Sequence, residues 1–169
     1  MAALRTGIFI RFFICGGSII TNRHVLTAAH CIDSVYGGSG LSMIQPVSLS
    51  FDYITGDIIS RVAGWGRTVV AGPLSNRLLE LVVKTVDGEE CSKAINYNIS
   101  AAEQFAKYDP ELELCAFEEK GDSGSGLVRK DRNVQIGIVS WGYACARGVP
   151  DVYVRLSAYR EWIEEALSR

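Results

Sequence analysis

The chain holds only two histidines, His24 and His30, so a mechanism that moves a proton on imidazole near neutral pH must use one of them. His30 follows Leu26-Thr27-Ala28-Ala29 and precedes Cys31. A bridged cysteine there would stiffen the neighbouring backbone, which suits a base that must stay in register. The same surroundings also fit a buried structural histidine. His24 follows Asn22-Arg23 in a turn-like stretch and reads as a surface residue. The second chemical element is Gly121-Asp122-Ser123-Gly124-Ser125-Gly126, followed by Leu127-Val128. Glycines around a serine allow close approach of a substrate and can aim successive N–H groups at one point, as an oxyanion hole requires. A glycine-serine run is also an ordinary turn. It does not match the Gly-x-Ser-x-Gly elbow of α/β-hydrolases, because position 125 is serine and no βαβ pattern surrounds it.

The elements that must hold these residues read as strands. Short β-branched and aromatic runs recur at Ile8 to Phe13, Gly17 to Thr21, Ile58 to Trp65, Leu78 to Val86, Asn133 to Trp141 and Val152 to Leu156. Glycine-containing turns separate most of them, and Pro73, Pro110 and Pro150 fall between runs. Ser157 to Ser168 reads as a helix, with Ser157 as its cap and Trp162, Ile163, Ala166 and Leu167 on one side. Ala101 to Lys107 fits a second, shorter helix. This texture predicts barrels or a sandwich rather than a βαβ sheet.

Composition is that of one folded domain: 169 residues, 48% hydrophobic, 21% charged, net charge −2. Nothing in the charge favours nucleic acid or an anionic membrane, and no apolar run is long enough to span a bilayer. The apolar stretch Ile8 to Ile20 reads as a buried strand rather than a signal peptide. Arg11 interrupts it, and Cys15-Gly16-Gly17 is a poor cleavage site. Five cysteines imply pairs plus one leftover thiol, and Asn98-Ile99-Ser100 is a glycosylation sequon. Both point to an extracellular, secreted protein.

Taken together and in order, the motifs resemble the trypsin-like (chymotrypsin-fold) serine protease family over nearly the whole chain. Met1-Ala2-Ala3-Leu4 and Cys15-Gly16-Gly17-Ser18-Ile19-Ile20 resemble its early strands, and Leu26-Thr27-Ala28-Ala29-His30-Cys31 its histidine motif. Val62-Ala63-Gly64-Trp65-Gly66 is similar to the strand that opens the second barrel, and Gly121-Asp122-Ser123-Gly124 to the serine motif. Ser140-Trp141-Gly142 resembles the strand that holds a substrate backbone, Pro150-Asp151-Val152-Tyr153 the strand behind the specificity pocket, and Tyr159 to Leu167 the closing helix. The resemblance implies an all-β fold of two antiparallel β-barrels with a C-terminal α-helix. Residues 1–50 would be the remnant of a truncated first barrel, 58–156 the second barrel and 157–168 the helix.

The implied chemistry is hydrolysis of peptide bonds, with His30 as general base, Ser123 as nucleophile and the N–H groups of Gly121 and Ser123 as oxyanion hole. Ser140, Trp141, Gly142 and Asp151 would contact substrate. A carboxylate at Asp151 would favour Arg or Lys side chains, though the pocket floor itself is unassigned. The resemblance also implies disulfides Cys15–Cys31 and Cys91–Cys115, Cys145 unpaired, glycosylation at Asn98, and Trp65 and Trp162 in the core. No metal or cofactor is implied; the partners are a protein or peptide substrate and a protein protease inhibitor, with no nucleic acid and no membrane.

Three departures bear on function. Where the family has an aspartate that orients the histidine, before the strand that Leu41-Ser42-Met43-Ile44 resembles, this chain has Gly40; loss of that partner costs about four orders of magnitude in rate. Asp33, Asp52 and Asp57 lie nearby in sequence but outside the motif, and Asp52 reads as a surface residue. The family's activated N-terminal amine, which pairs with the aspartate at Asp122, has no counterpart, since the chain starts inside the first strand. Only seven residues separate Cys115 from Ser123, a gap too short to hold the family's partner for Cys145 and its pocket-floor residue. Two readings follow: a serine endopeptidase, or an impaired or inactive homologue serving as a binding module or a non-functional truncated isoform.

Overall fold

The computed structural model describes residues 1–6, 12–28, 31, 46–65, 72–73, 75–98, 106–117, 126–142 and 149–168. Among the described residues ten strands run in chain order: β1 Ala2–Thr6, β2 Phe12–Ile19, β3 Val25–Leu26, β4 Ser48–Leu49, β5 Ile59–Gly64, β6 Leu79–Val86, β7 Glu113–Phe117, β8 Gly126–Arg129, β9 Val134–Trp141 and β10 Asp151–Arg155. Helix α1 (Gly88–Asn98) lies between β6 and β7, and a 3-10 turn at Leu156–Tyr159 leads into α2 (Arg160–Ser168). The strands β10-β7-β6-β5-β8-β9 form one sheet, and β9 also pairs with β10, so six strands close into a barrel. The short β4 adds to β9 in parallel. The first three strands form a separate sheet, ordered β1-β2-β3. No helix among the described residues is long and apolar enough to cross a membrane.

Period-2 alternation builds the barrel core. Ser60 and Val62 on β5 and Val83 and Thr85 on β6 point inward, while Ile59, Val82 and Lys84 face outward. Val62, Val83, Leu114, Ala116, Leu127, Ile136 and Tyr153 meet inside, with Ile54 sealing one end. Two polar side chains taken into the wall, Thr85 and Arg155, are paired. The Thr85 hydroxyl donates to the Thr55 carbonyl (2.9 Å) and accepts from the Ile58 amide (2.9 Å). Arg155, at 4% exposure, donates to the carbonyls of Ile54 (2.6 Å), Pro110 (3.2 Å) and Glu113 (3.0 Å), with its guanidinium over the Tyr53 ring. One side chain thereby fastens the end of β10 to two loops.

A second cluster lies outside the wall, where α1 packs Cys91 and Ile95 against Tyr108, Cys115, Val149 and Val152. The Cys91–Cys115 disulfide ties α1 to β7. The third cluster joins Ile138, Leu156 and Ile163 to the half-buried Leu26, Ala28, Leu49, Phe51, Val154 and Leu167. That cluster seats the N-terminal sheet on the barrel and on α2.

Several sequence expectations need correction. A second helix exists, but at Gly88–Asn98; Ala106 and Lys107 are not helical, and 99–105 lie outside the described residues. Asp87 opens α1, its Oδ1 accepting the Glu89 amide at 2.9 Å, and Glu90 stands three residues after it. Ser157 does not cap α2; it sits inside the 3-10 turn with its hydroxyl buried, and α2 starts at Arg160. Trp162 is 63% exposed and is not a core residue; a ring at that angle of the helix points away from Ile163. His24 is half-buried rather than on the surface, because Thr21 Oγ1 engages its Nδ1 at 2.7 Å.

Candidate active site

Of the residues expected to do chemistry, His30, Gly121, Ser123, Gly40 and Cys145 lie outside the described residues. What surrounds two of them is well defined. Cys31, next to His30, is bonded to Cys15 on β2 with a Cα–Cα distance of 6.0 Å, and it is 3% exposed. The Cys31 amide donates to the Ala28 carbonyl at 3.0 Å. On the approach, the Thr27 hydroxyl donates to the Gly16 carbonyl at 2.8 Å, again on β2.

The strand that follows the serine motif also meets β2. Gly126, three residues after Ser123, begins β8 and is buried. A Cβ at Gly126 would overlap the Ser18 hydroxyl of β2 and would lie 3.1 Å from the Gln135 side-chain carbon. Only glycine lets β8 come this close. Cys15 and Ser18 stand three residues apart on β2, so one strand contacts the flanks of both motifs. The Gln135 amide nitrogen donates to the Gly137 carbonyl at 3.0 Å within this wall.

The expected substrate strand is fully described. Ser140 and Trp141 end β9, Gly142 follows, and Trp141 stands opposite Val152 on β10. Asp151 opens β10 opposite Ala116 of β7. Its Oδ1 sits where a Cβ of Gly142 would be, so the carboxylate lies directly against the Gly142 backbone. The structure therefore brings together Trp141, Gly142 and Asp151. It adds Glu113 on β7, whose Oε1 accepts the Trp141 Nε1–H at 2.8 Å. Glu113 was not legible in the sequence, since nothing local relates positions 113 and 141; only the barrel register does.

Other expectations resolve as follows. Both implied disulfides, Cys15–Cys31 and Cys91–Cys115, are present. Asn98 is the last residue of α1. Of the aspartates near the histidine motif, Asp52 pairs with Arg132 (3.3 Å) and Asp57 with Lys84 (2.6 Å), both at the surface. Among the described residues no group of three or more potential metal ligands occurs.

Comparison with known proteins agrees with this architecture. The family model described as Trypsin matches residues 1–50 and 42–163. A chymotrypsin-2 from Vespa crabro is 29% identical over 206 residues, covering 89% of this chain and 88% of that protein. A trypsin 5G1 from Aedes aegypti is 28% identical, covering 89% of this chain and 74% of that one. Among solved structures, neuropsin, a serine protease expressed in the limbic system of mouse brain, superposes with a TM-score of 0.70 at 23% identity. That match covers 92% of this chain and 90% of the other.

Proposed function

The chain belongs to the trypsin family, and from that premise we propose that it is a serine endopeptidase acting through an acyl-enzyme on Ser123, with His30 as general base. The observation that carries the reading is the double attachment of β2: Cys15 holds the residue beside His30, and Ser18 packs on the glycine that ends the serine motif. His24 is hydrogen-bonded within its own turn, which leaves the base role to His30. In the proposed cycle His30 takes the Ser123 hydroxyl proton as the oxygen attacks a peptide carbonyl. The N–H groups of Gly121 and Ser123 hold the oxyanion, and donors of this kind contribute roughly 3–4 kcal/mol each to the chemical step. His30 then protonates the leaving amine, and water repeats the sequence in reverse to free the acid.

Substrates are proteins or peptides, bound along Ser140-Trp141-Gly142. Asp151, whose carboxylate lies against Gly142, borders that strand. Residues 1–50 act as the remnant of the first barrel, 58–156 as the second and 157–168 as the closing helix. Residues 42–50 are matched by both segments of the family model, and the wasp alignment is longer than this chain; both fit a chain from which family segments are missing. The paired cysteines and the sequon at Asn98 support a secreted, glycosylated protein that a protein protease inhibitor would recognise.

Gly40 favours the second reading, an impaired homologue. Without an orienting carboxylate the imidazole loses about four orders of magnitude in rate, and Asp52 and Asp57 are engaged in surface ion pairs. Labelling the secreted chain with a fluorophosphonate, with Ser123→Ala as control, separates the two. Covalent labelling that disappears in Ser123→Ala is the expected result; the absence of any Ser123-dependent labelling would leave the binding-module reading in its place.

A further inference from the structure

Helix α2 turns its one tryptophan away from the barrel. Ile163 is buried and Leu167 half-buried in the cluster that seats the helix, whereas Trp162, beside Ile163, is 63% exposed. Helical spacing sets Ala158 and Ala166 four positions before and after the indole, and Glu161 and Glu165 one before and three after it. Ala158, Glu161 and Glu165 are exposed with it. A helical side chain covers the turn N-terminal to its own Cα. That turn offers Ala158, too small to hide the face of a ring.

The charges on this face have the sign that a cation needs. Arg160 is engaged elsewhere: its Nε donates to Glu164 Oε1 at 2.8 Å, and its guanidinium lies 5.5 Å from the Phe51 ring. Among the described residues no cation stacks on Trp162 or pairs with Glu161. Helix stability explains only part of the pattern. Glu161 in the first turn suits the positive end of the helix dipole, but Glu165 lies in the last turn, which holds no basic residue. Two carboxylates four positions apart also repel each other. An open indole beside carboxylates is the setting for a cation–π contact, and Trp is the strongest ring for it.

We propose that the outer face of α2 is a docking surface for an arginine-bearing basic segment of a partner protein: a guanidinium stacks on Trp162 and pairs with Glu161. Arginine fits better than lysine because its planar group stacks on an aromatic face. Charge complementarity argues against the other occupants. A second copy would bring carboxylates against carboxylates. A membrane surface would call for Lys or Arg where this face carries Glu. The surface lies on α2 rather than on the residues proposed to do chemistry, so it stands whether or not Ser123 is reactive.

The test uses the whole chain as Ser123→Ala, which cannot cleave the probe, and a fluorescent peptide of three glycine–arginine repeats. The dissociation constant should rise about fivefold in Trp162→Ala, and about as much in Glu161→Lys, where cation meets cation. Trp162→Phe, with a weaker ring, should raise it about twofold. A second readout leaves the surface unaltered. The Trp162 indole N–H signal, assigned by its loss in Trp162→Phe, should move when the arginine peptide is added and stay in place with a glycine–glutamate peptide. Arginine binding that neither Trp162→Ala nor Glu161→Lys weakens overturns the proposal, as does an indole signal that the arginine peptide leaves in place. Binding to phosphatidylcholine or phosphatidylserine vesicles that Trp162→Ala abolishes would assign the face to lipid instead. A dimer that the same substitution dissociates would assign it to a second copy. Each of these results leaves the fluorophosphonate test of Ser123 untouched, so the two proposals fail separately.

Discussion

The six-stranded barrel and the three-stranded N-terminal sheet are built from similar strands but are held in different ways. The barrel closes on itself through β9 and β10 and encloses its own apolar core. The sheet ends in β3, a strand of two residues, and among the described residues no further strand pairs with β1. The buried members of all three apolar clusters lie at Ile54 or beyond; Leu26 and Ala28 join the third only as half-buried neighbours. What holds the sheet is attachment: the Cys15–Cys31 bridge, the Thr27 bond to Gly16, the Val47 amide on Ile19 (2.8 Å) and the contact of Ser18 with Gly126. A bridge closing a loop of this size contributes roughly 3 kcal/mol by restraining the unfolded chain. Ser123 is thus flanked by structure with a core of its own, and His30 by structure that depends on the barrel.

The widest separation between the two regions should appear in matched truncations. Leu114→Ala opens a cavity in a closed core, at 2% exposure, and should lower unfolding stability by about 3–4 kcal/mol. Leu26→Ala removes a half-buried side chain from the seam, and should cost about 1 kcal/mol. Urea unfolding of the two variants measures both. Equal costs would show that the N-terminal sheet has an independent core, and the contrast drawn above would fail.

The junction between the regions is tested by Gly126→Ala. Its new methyl group has no room beside Ser18 and the Gln135 amide, and strain of this kind costs about 1–3 kcal/mol. Adding Ser18→Gly should return much of that loss, since it removes the hydroxymethyl that the new group meets. Contact residues couple and distant ones add. Strict additivity in the double-mutant cycle would mean that β2 and β8 do not press on each other, and that the flanks of His30 and Ser123 are not mechanically joined.

Legibility in the sequence followed the same division. The barrel strands at Ile59–Gly64, Leu79–Val86, Val134–Trp141 and Asp151–Arg155 announced themselves by β-branched runs between glycine turns. The serine and histidine motifs stand out in the sequence as particular residue types at short spacing, and the structure describes their neighbours Cys31 and Gly126. Helix α1 was missed although Asp87 and Glu90 carry a capping signal, because Cys91 and Ile95 are too few apolar residues to show a period. Trp162 misled because helical spacing does not say which way an aromatic ring leans. Glu113, Arg155 and Ser18 act through distant partners, Arg155 on Ile54 at 101 positions and Ser18 on Gly126 farther still, and no local pattern encodes such distances; barrel closure creates them.

The smallest effect at neutral pH concerns Tyr108, in the cluster behind Trp141. Its hydroxyl is buried without a hydrogen-bond partner, so Tyr108→Phe removes an unsatisfied group and should leave the chain as stable or about 1 kcal/mol more stable. The effect grows in alkali. Burial pushes the phenol up to about 12 from its ordinary 10.0, against the opposing pull of the Arg155 charge and with a further push from Glu113. A raised value means that the folded chain keeps its proton while the unfolded chain gives it up. The associated stability is therefore present below pH 10 and is lost as pH climbs from 10 towards 12. Tyr108→Phe cannot lose a phenolic proton, so its stability should fall less over that interval than that of the native chain. Amide exchange on both chains locates the difference: in the native chain α1 and β7 should open first, ahead of β1 to β3. Parallel alkaline profiles for the two chains would mean that Tyr108 reaches solvent, and the outer cluster would then be no firmer than the sheet to which it is compared.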